Sequence, residues 1–236
     1  MKTFLTLIGL VLVVGVIFYV FGNTADAPTE DESASSTTAD AVNLATLEEA
    51  RPGTYSVSAS SSEVRWSAKK PLIESYVDRG IIPVESGEIT VTADNLSTGS
   101  ITFDVANIEA TKTANARLGV ERLTDHLRSE DFLAVEEFPT TKFTLTAAEA
   151  IASTTDETDY ELTGNLTLKG ETNEISFPAN VGMSELGALV VEENTEIDRS
   201  RWNIRYGSES FFDDLGDNLI ANEVEIEIDL VARLEN

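Results

Sequence analysis

The chain contains no cysteine, one histidine, two methionines and two tryptophans in 236 residues. Without cysteine there is no disulfide, no thiol nucleophile and no lipid-modified N-terminal cysteine. One histidine and no cysteine make a poor basis for a zinc site, and no EF-hand spacing is present for calcium. Asp213, Asp214 and Asp217 lie close together but lack regular ligand spacing, so they read as a solvated turn. Positive charge is scarce: 16 Lys and Arg stand against 42 Asp and Glu, a net charge of −26. No basic patch exists to neutralise phosphates, which argues against a nucleic-acid partner. Attraction by charge to an anionic membrane surface is argued against for the same reason. The acidic excess reads as a heavily solvated surface. There is no Gly-rich phosphate loop and no G-x-S-x-G nucleophile elbow. Neither a metal nor a cofactor is expected, and no catalytic residue is assigned.

What is present begins with an uninterrupted apolar run, Phe4 to Phe21, about 18 residues without a charge. That is close to the roughly 20 residues needed to cross a bilayer core. Lys2 precedes the run, and Asp26, Glu30, Asp31 and Glu32 follow it. A basic flank before and an acidic flank after place the N-terminus in the cytoplasm and the bulk of the chain outside. A cleaved signal peptide is the rival, because Ala25-Asp26-Ala27 resembles a processing site. The run is long for such a signal, so a membrane anchor over residues 1–22 is preferred; a cleaved signal would leave the domain secreted or periplasmic. Residues 23–50 are rich in Ser, Thr, Ala, Asp and Glu and cannot bury enough apolar surface to offset ordering entropy. They read as an acidic, disordered tether, with a short helix over Asn43–Ala50 as an option. Residues 51–236 form one domain, large enough for a substantial core.

Within that domain, period-two alternation recurs at Glu88–Thr92, Ile101–Val105, Tyr160–Leu168 and, most clearly, Glu223–Leu230. In the last of these, carboxylates mark one face and branched aliphatics the other. One wet and one dry face per strand is the mark of antiparallel sheet. Turn signals at Asn95–Gly99, Lys169-Gly170, Ser184–Gly187 and Asp213–Asn218 separate the runs. The fold class is therefore all-β, with about eight short strands in a barrel or sandwich. Only Thr113–Leu127 reads as helical. Closure into a barrel removes the edge strands that invite aggregation. The dry faces carry Val64, Trp66, Ile89, Val91, Ile101, Phe103, Val105, Phe143, Leu145, Leu162, Leu166, Leu168, Ile175, Phe177, Val224, Ile226 and Ile228. On residue type alone these fill a core.

The most informative stretch is His126–Phe143, HLRSEDFLAVEEFPTTKF. It passes from a polar helical segment through Asp131-Phe132 and Phe138-Pro139 into an alternating strand. It resembles a segment of the YceI-like family, in which a His-Leu-basic-Ser-x-Asp-Phe-Phe motif leads into Pro-Thr and a strand. Thr163–Thr172 (TGNLTLKGET) is similar to that family's hairpin, Ile197–Gly207 (IDRSRWNIRYG) to its Asp-Arg run, and Val64-Arg-Trp66 with Lys69-Lys70 to its early strand. The four motifs occur in order across Tyr55 to Leu234. There are departures: Leu133 stands where the family has a second Phe, and Pro71–Ser86 lacks the Gly-rich, aromatic character.

The resemblance implies a single antiparallel, roughly eight-stranded, lipocalin-like barrel with one short helical segment, preceded by the N-terminal transmembrane or signal helix. It implies an extracytoplasmic, non-enzymatic carrier that holds an isoprenoid-type lipid, a polyprenyl chain or a quinone-like molecule, inside the barrel. Trp66, Phe103, Val105, Phe143, Leu145, Leu166, Leu168, Phe177 and Ile226 would contact the lipid. His126, Arg199 and Trp202 would stand at the mouth, near the head group. For Arg199 and Trp202 a cross-strand ion pair and a core-capping ring are equally open. A lone histidine beside Arg122, Arg128 and Asp131 reads as a hydrogen-bonding group. The competing functions are a cell-surface adhesion or carbohydrate-binding β-module, which calls for aromatics on an outer face, and an acidic-residue hydrolase, which calls for two carboxylates on one cleft.

Overall fold

The computed structural model describes residues 50–93, 96–151 and 159–235. The apolar run Phe4–Phe21, the tether and the optional helix at Asn43–Ala50 lie outside these residues but for Ala50 itself. Among the described residues no helix is long and apolar enough to cross a membrane.

Eleven strands form one antiparallel sheet: β1 (Gly53–Val57), β2 (Glu63–Lys69), β3 (Val77–Ile82), β4 (Val84–Val91), β5 (Leu96–Asp104), β6 (Glu109–Lys112), β7 (Thr140–Ala150), β8 (Asp159–Leu168), β9 (Glu171–Met183), β10 (Leu189–Asp198) and β11 (Glu223–Leu234). The order β1-β4-β5-β7-β8-β9-β10-β11, with β1 returning to pair with β11, closes eight strands into a barrel. β11 also pairs with β2, and the sheet continues through β3 to β6.

The extra strands are continuations. Only Pro83 separates β3 from β4, and a 3-10 turn at Val105–Asn107 separates β5 from β6. Proline removes a ladder donor and bends a strand. The two corners lie side by side, the Asp104 amide donating to the Pro83 carbonyl at 2.9 Å. β3–β4 and β5–β6 are thus two long strands kinked side by side, and β1 and β2, joined by residues 58–62, both pair with β11, so the barrel has eight staves in chain order.

The sequence reading holds for the strands it named, and Lys169-Gly170 does turn, with both residues at positive φ (51° and 78°). Two segments differ. Residues 96–99 belong to β5, not to a turn. The helix α1 spans Gly119–Arg128, not Thr113–Leu127. The six residues before it form a turn because the Asn115 side chain accepts from the amides of Arg117 and Leu118, the local competition that makes Asn a turn residue.

The two ends of the barrel are filled differently. At the end holding the β9–β10 turn, Tyr55, Val91, Val181 and Leu189 are packed without solvent access beyond 2 %. At the opposite end, α1 and the 199–222 segment fold across the opening. The Ala110 amide donates to Thr124 Oγ1 at 2.9 Å and the Arg128 guanidinium to the Ile108 carbonyl at 2.9 Å, tying α1 to β6. Leu123 and Leu127 of α1, Phe132, Leu133, Ile204 and Ile220 all pack inward there.

Candidate functional site: the barrel interior

Between the two filled ends lies a cavity of about 220 Å³. An engineered apolar cavity of about 150 Å³ stays dry and takes up benzene. All nine residues expected on the inner wall line this space: Trp66, Phe103, Val105, Phe143, Leu145, Leu166, Leu168, Phe177 and Ile226. Alternation puts them there, since every second side chain of a stave points in. Phe143 and Phe177 meet with ring centroids 5.6 Å apart, made possible by Gly164, whose missing side chain leaves room for the Phe143 ring.

Cavity and filled core are separated by a second observation. Leu166, Ile175, Ile197, Val224, Ile226 and Ile228 all line the interior yet stay only half-buried. In a close-packed core such residues lose their solvent access. Here they face free space or the gap in the wall described below.

The three residues expected at the mouth behave differently from one another. Arg199 lines the cavity and is buried, but its guanidinium is already committed. Nε, Nη1 and Nη2 donate to the carbonyls of Ala221, Ile204 and Ile220 at 3.0, 3.0 and 3.1 Å. Burial lowers its pKa from the usual arginine value, opposed by the charges of Asp198 and Glu223. Arg199 thus pins the 199–222 segment across the barrel end, a fold role that three neutral acceptors satisfy without a carboxylate. Trp202 has no solvent access, lies behind the wall and donates from Nε1 to the Leu166 carbonyl at 2.9 Å. His126 stands outside the cavity wall. Its Nε2 is 3.1 Å from Asp131 Oδ2, and its ring meets Phe132 and Tyr206 edge-on at 4.9 and 4.6 Å. The bond to Asp131 is the hydrogen-bonding role its sequence setting suggested, and the ring contact with Tyr206 joins α1 to the 199–222 segment.

Arg199→Met keeps length but removes all three donors. Carbonyls left without partners in a buried site cost about 1–3 kcal/mol each, offset in part by no longer burying a charge. The expected loss is about 2 kcal/mol in urea unfolding of the variant against wild type. A change below about 0.5 kcal/mol would show that the segment is held by packing alone.

Sequence reading missed three polar residues on the wall, Thr141, Glu193 and Thr195. Val191, Glu193, Thr195 and Ile197 are successive inward positions of β10, and all four line the cavity. Glu193 is the one carboxylate among the lining residues. Burial raises its pKa above the usual carboxylate value, opposed by a hydrogen bond from the Asn194 amide and supported by the charge of Glu161. An acid on the dry face breaks the alternation by which β10 would have been recognised. A paired-carboxylate cleft is not formed in the cavity, because Glu193 has no acidic partner on the wall. Among the described residues no group of three or more His, Asp or Glu is placed to hold a metal ion.

A closed eight-stranded antiparallel barrel around an apolar cavity is a lipocalin-like container. The YceI-like domain matches residues 55–232, and the chain belongs to that family. A UPF0312 protein of Pseudomonas putida (strain W619) is 36% identical over 87 residues, 34% of this chain and 43% of that protein. A second, from Pectobacterium carotovorum, is 35% identical over 89 residues, 35% of this chain and 44% of that protein. The chain thus spans less than half the length of the curated relatives it matches. Among solved structures, BcnA of Burkholderia cenocepacia is similar with a TM-score of 0.58 at 21% identity, covering 74% of this chain and 98% of that one. A polyisoprenoid binding domain from Saccharophagus degradans, implicated in plant cell wall breakdown, gives a TM-score of 0.58 at 15% identity over 78% of this chain and 100% of that one. At these identities the two structures speak to the fold alone.

Proposed function

We propose that this protein is a non-enzymatic carrier for an isoprenoid-type lipid, with the chain of the lipid lying in the barrel and the domain held outside the cytoplasm by the N-terminal apolar segment. The observation that carries the reading is the cavity bounded by inward-facing aliphatic and aromatic side chains, several of the aliphatic ones only half-buried. Apolar burial contributes about 0.8 kcal/mol per CH₂ removed from water, so the part of a branched chain that enters the cavity is held once ordering costs are met. The solved polyisoprenoid binding domain, alike in fold, supports the choice of an isoprenoid over a straight acyl chain. No covalent step is needed for such a role.

The test is native mass spectrometry of the full chain, purified in mild detergent from membranes that contain isoprenoid lipids. Expected is a holo mass whose adduct, after solvent extraction, fragments at isoprene spacing. A clean apo mass after exposure to those membranes overturns the proposal.

A further inference from the structure

The wall of the barrel is not continuous. β9 and β10 are hydrogen-bonded only where Asn180–Met183 meets Leu189–Glu192. Beyond Glu192 the two strands part. On its far side β9 stays fully laddered to β8, from Glu171 to Asn180, and β10 stays laddered to β11, from Leu189 to Asp198. Among the described residues no ladder pair joins Glu171–Ala179 to Glu193–Asp198. The gap closes again below, where Asn173 Nδ2 donates to the Arg201 carbonyl and Arg201 Nη2 to the Glu174 carbonyl, both at 2.8 Å. A slit remains along Ile175–Ala179, about 17 Å at the rise of an extended strand.

The sequence encodes this slit. Had the register continued, Pro178 would face Asn194. Proline has no amide hydrogen to donate and belongs on strand edges. Backbone groups left unpaired along the two lips must find water or another partner, so the slit is wet on its outer side. Inside, its lips carry Ile175 and Phe177 from β9 and Glu193 and Thr195 from β10, all four on the cavity wall. One end of the barrel is packed solid and the other is crossed by α1 and the 199–222 segment. Among the described residues the side slit is the stretch of barrel wall that no ladder closes.

Resting on the carrier reading, we propose that the β9–β10 slit is the lateral port through which the isoprenoid passes, and that Glu193 and Thr195 on its β10 lip anchor an uncharged, oxygen-bearing end of the ligand. As a carboxylate Glu193 accepts from an alcohol hydroxyl and repels a diphosphate, and in the neutral form that burial favours it donates to an alcohol or carbonyl oxygen. Glu161 nearby and the acidic surface add repulsion against an anionic head.

The experiment uses the full chain in detergent and three probes supplied in phosphatidylcholine vesicles: geranylgeraniol, geranylgeranyl diphosphate and the hydrocarbon phytane. Because the chain lacks cysteine, Ser176→Cys with Glu196→Cys places a unique thiol pair on the outer faces of the two lips. Bridging the pair with bismaleimides of increasing length should slow geranylgeraniol uptake at least tenfold while the unbridged variant loads normally. Glu193→Leu should weaken geranylgeraniol about fivefold relative to phytane, the size of one net hydrogen bond. The diphosphate should bind wild type at least tenfold more weakly than the alcohol. If wild type binds none of the probes, the carrier reading falls and this inference with it. If wild type binds but the bridged protein loads at an unchanged rate, or Glu193→Leu leaves the alcohol-to-phytane ratio unchanged, the port and anchor fail while the carrier reading stands.

Discussion

Gly80→Ala is expected to destabilise the domain by about 4 kcal/mol or to prevent folding. Gly80 lies in β3 between Trp66 of β2 and Ala110 of β6, where the register slips by a bulge. A Cβ placed there would overlap the Glu109 carbonyl oxygen and come within 2.6 Å of the Trp66 indole at Cε2 and Cζ2. Overpacking a core by one methyl typically costs about 1–3 kcal/mol when side chains can shift. Here the obstacle is backbone on one side and a rigid ring on the other, so the cost lies above that range. Gly99→Ala is the internal control: its added Cβ would meet Leu145 and the Glu88 carbonyl at 3.4–3.7 Å, which is ordinary contact. Urea unfolding should leave Gly99→Ala within about 1 kcal/mol of wild type. Equal stability of the two variants would mean that β3, Trp66 and β6 do not approach as closely as described.

That contrast shows where sequence is informative and where it is not. The barrel was legible because most staves carry unbroken alternation, and a one-residue slip would turn a whole dry face to water. Glu223–Leu230 is the plainest instance. All nine wall residues were legible for the same reason. What alternation cannot show is a three-body approach such as Gly80, Trp66 and Glu109, which depends on a bulge. Nor can it show the kinks at Pro83 and Val105–Asn107 that make two short strands out of one stave, so β3 and β6 went unrecognised. Glu193 escaped because a carboxylate in the dry register makes the strand look irregular, although Pro178 in the facing strand already marks a free edge. The mouth residues fared unevenly. Arg199 does reach the cavity wall, but its donors serve the carbonyls of residues 204, 220 and 221, which no spacing rule foretells. His126 is held by a partner five residues away, within reach of a local reading.

Leu145→Trp should abolish lipid loading while leaving the ligand-free domain folded. Leu145 lies on the cavity wall, and its two cross-strand neighbours are glycines, Gly99 on β5 and Gly164 on β8. Its flanks are therefore free of competing side chains, except where the Phe143 ring covers Gly164. An indole at this position grows into the 220 Å³ space and occupies volume a ligand needs. Stability of delipidated protein should stay within about 1.5 kcal/mol of wild type, as for a large residue that finds room. Affinity for a long isoprenoid should fall about a hundredfold, since losing contact with three or four methylenes at about 0.8 kcal/mol each gives that order. Phe143→Ala supplies the opposite perturbation. In a filled core, removing a phenyl ring costs about 3–5 kcal/mol, because transfer and cavity terms add. Here the ring packs against Phe177 and Gly164 on one side and borders existing space on the other, so about 2 kcal/mol is expected in ligand-free protein, with a larger loss when lipid is bound. The pair is decisive in combination. If Leu145→Trp unfolds the domain and Phe143→Ala costs the full 3–5 kcal/mol, the interior is packed in solution and has no room for a chain. If the tryptophan variant folds, fails to load and remains as stable as wild type, the space inside the barrel is kept open for a ligand.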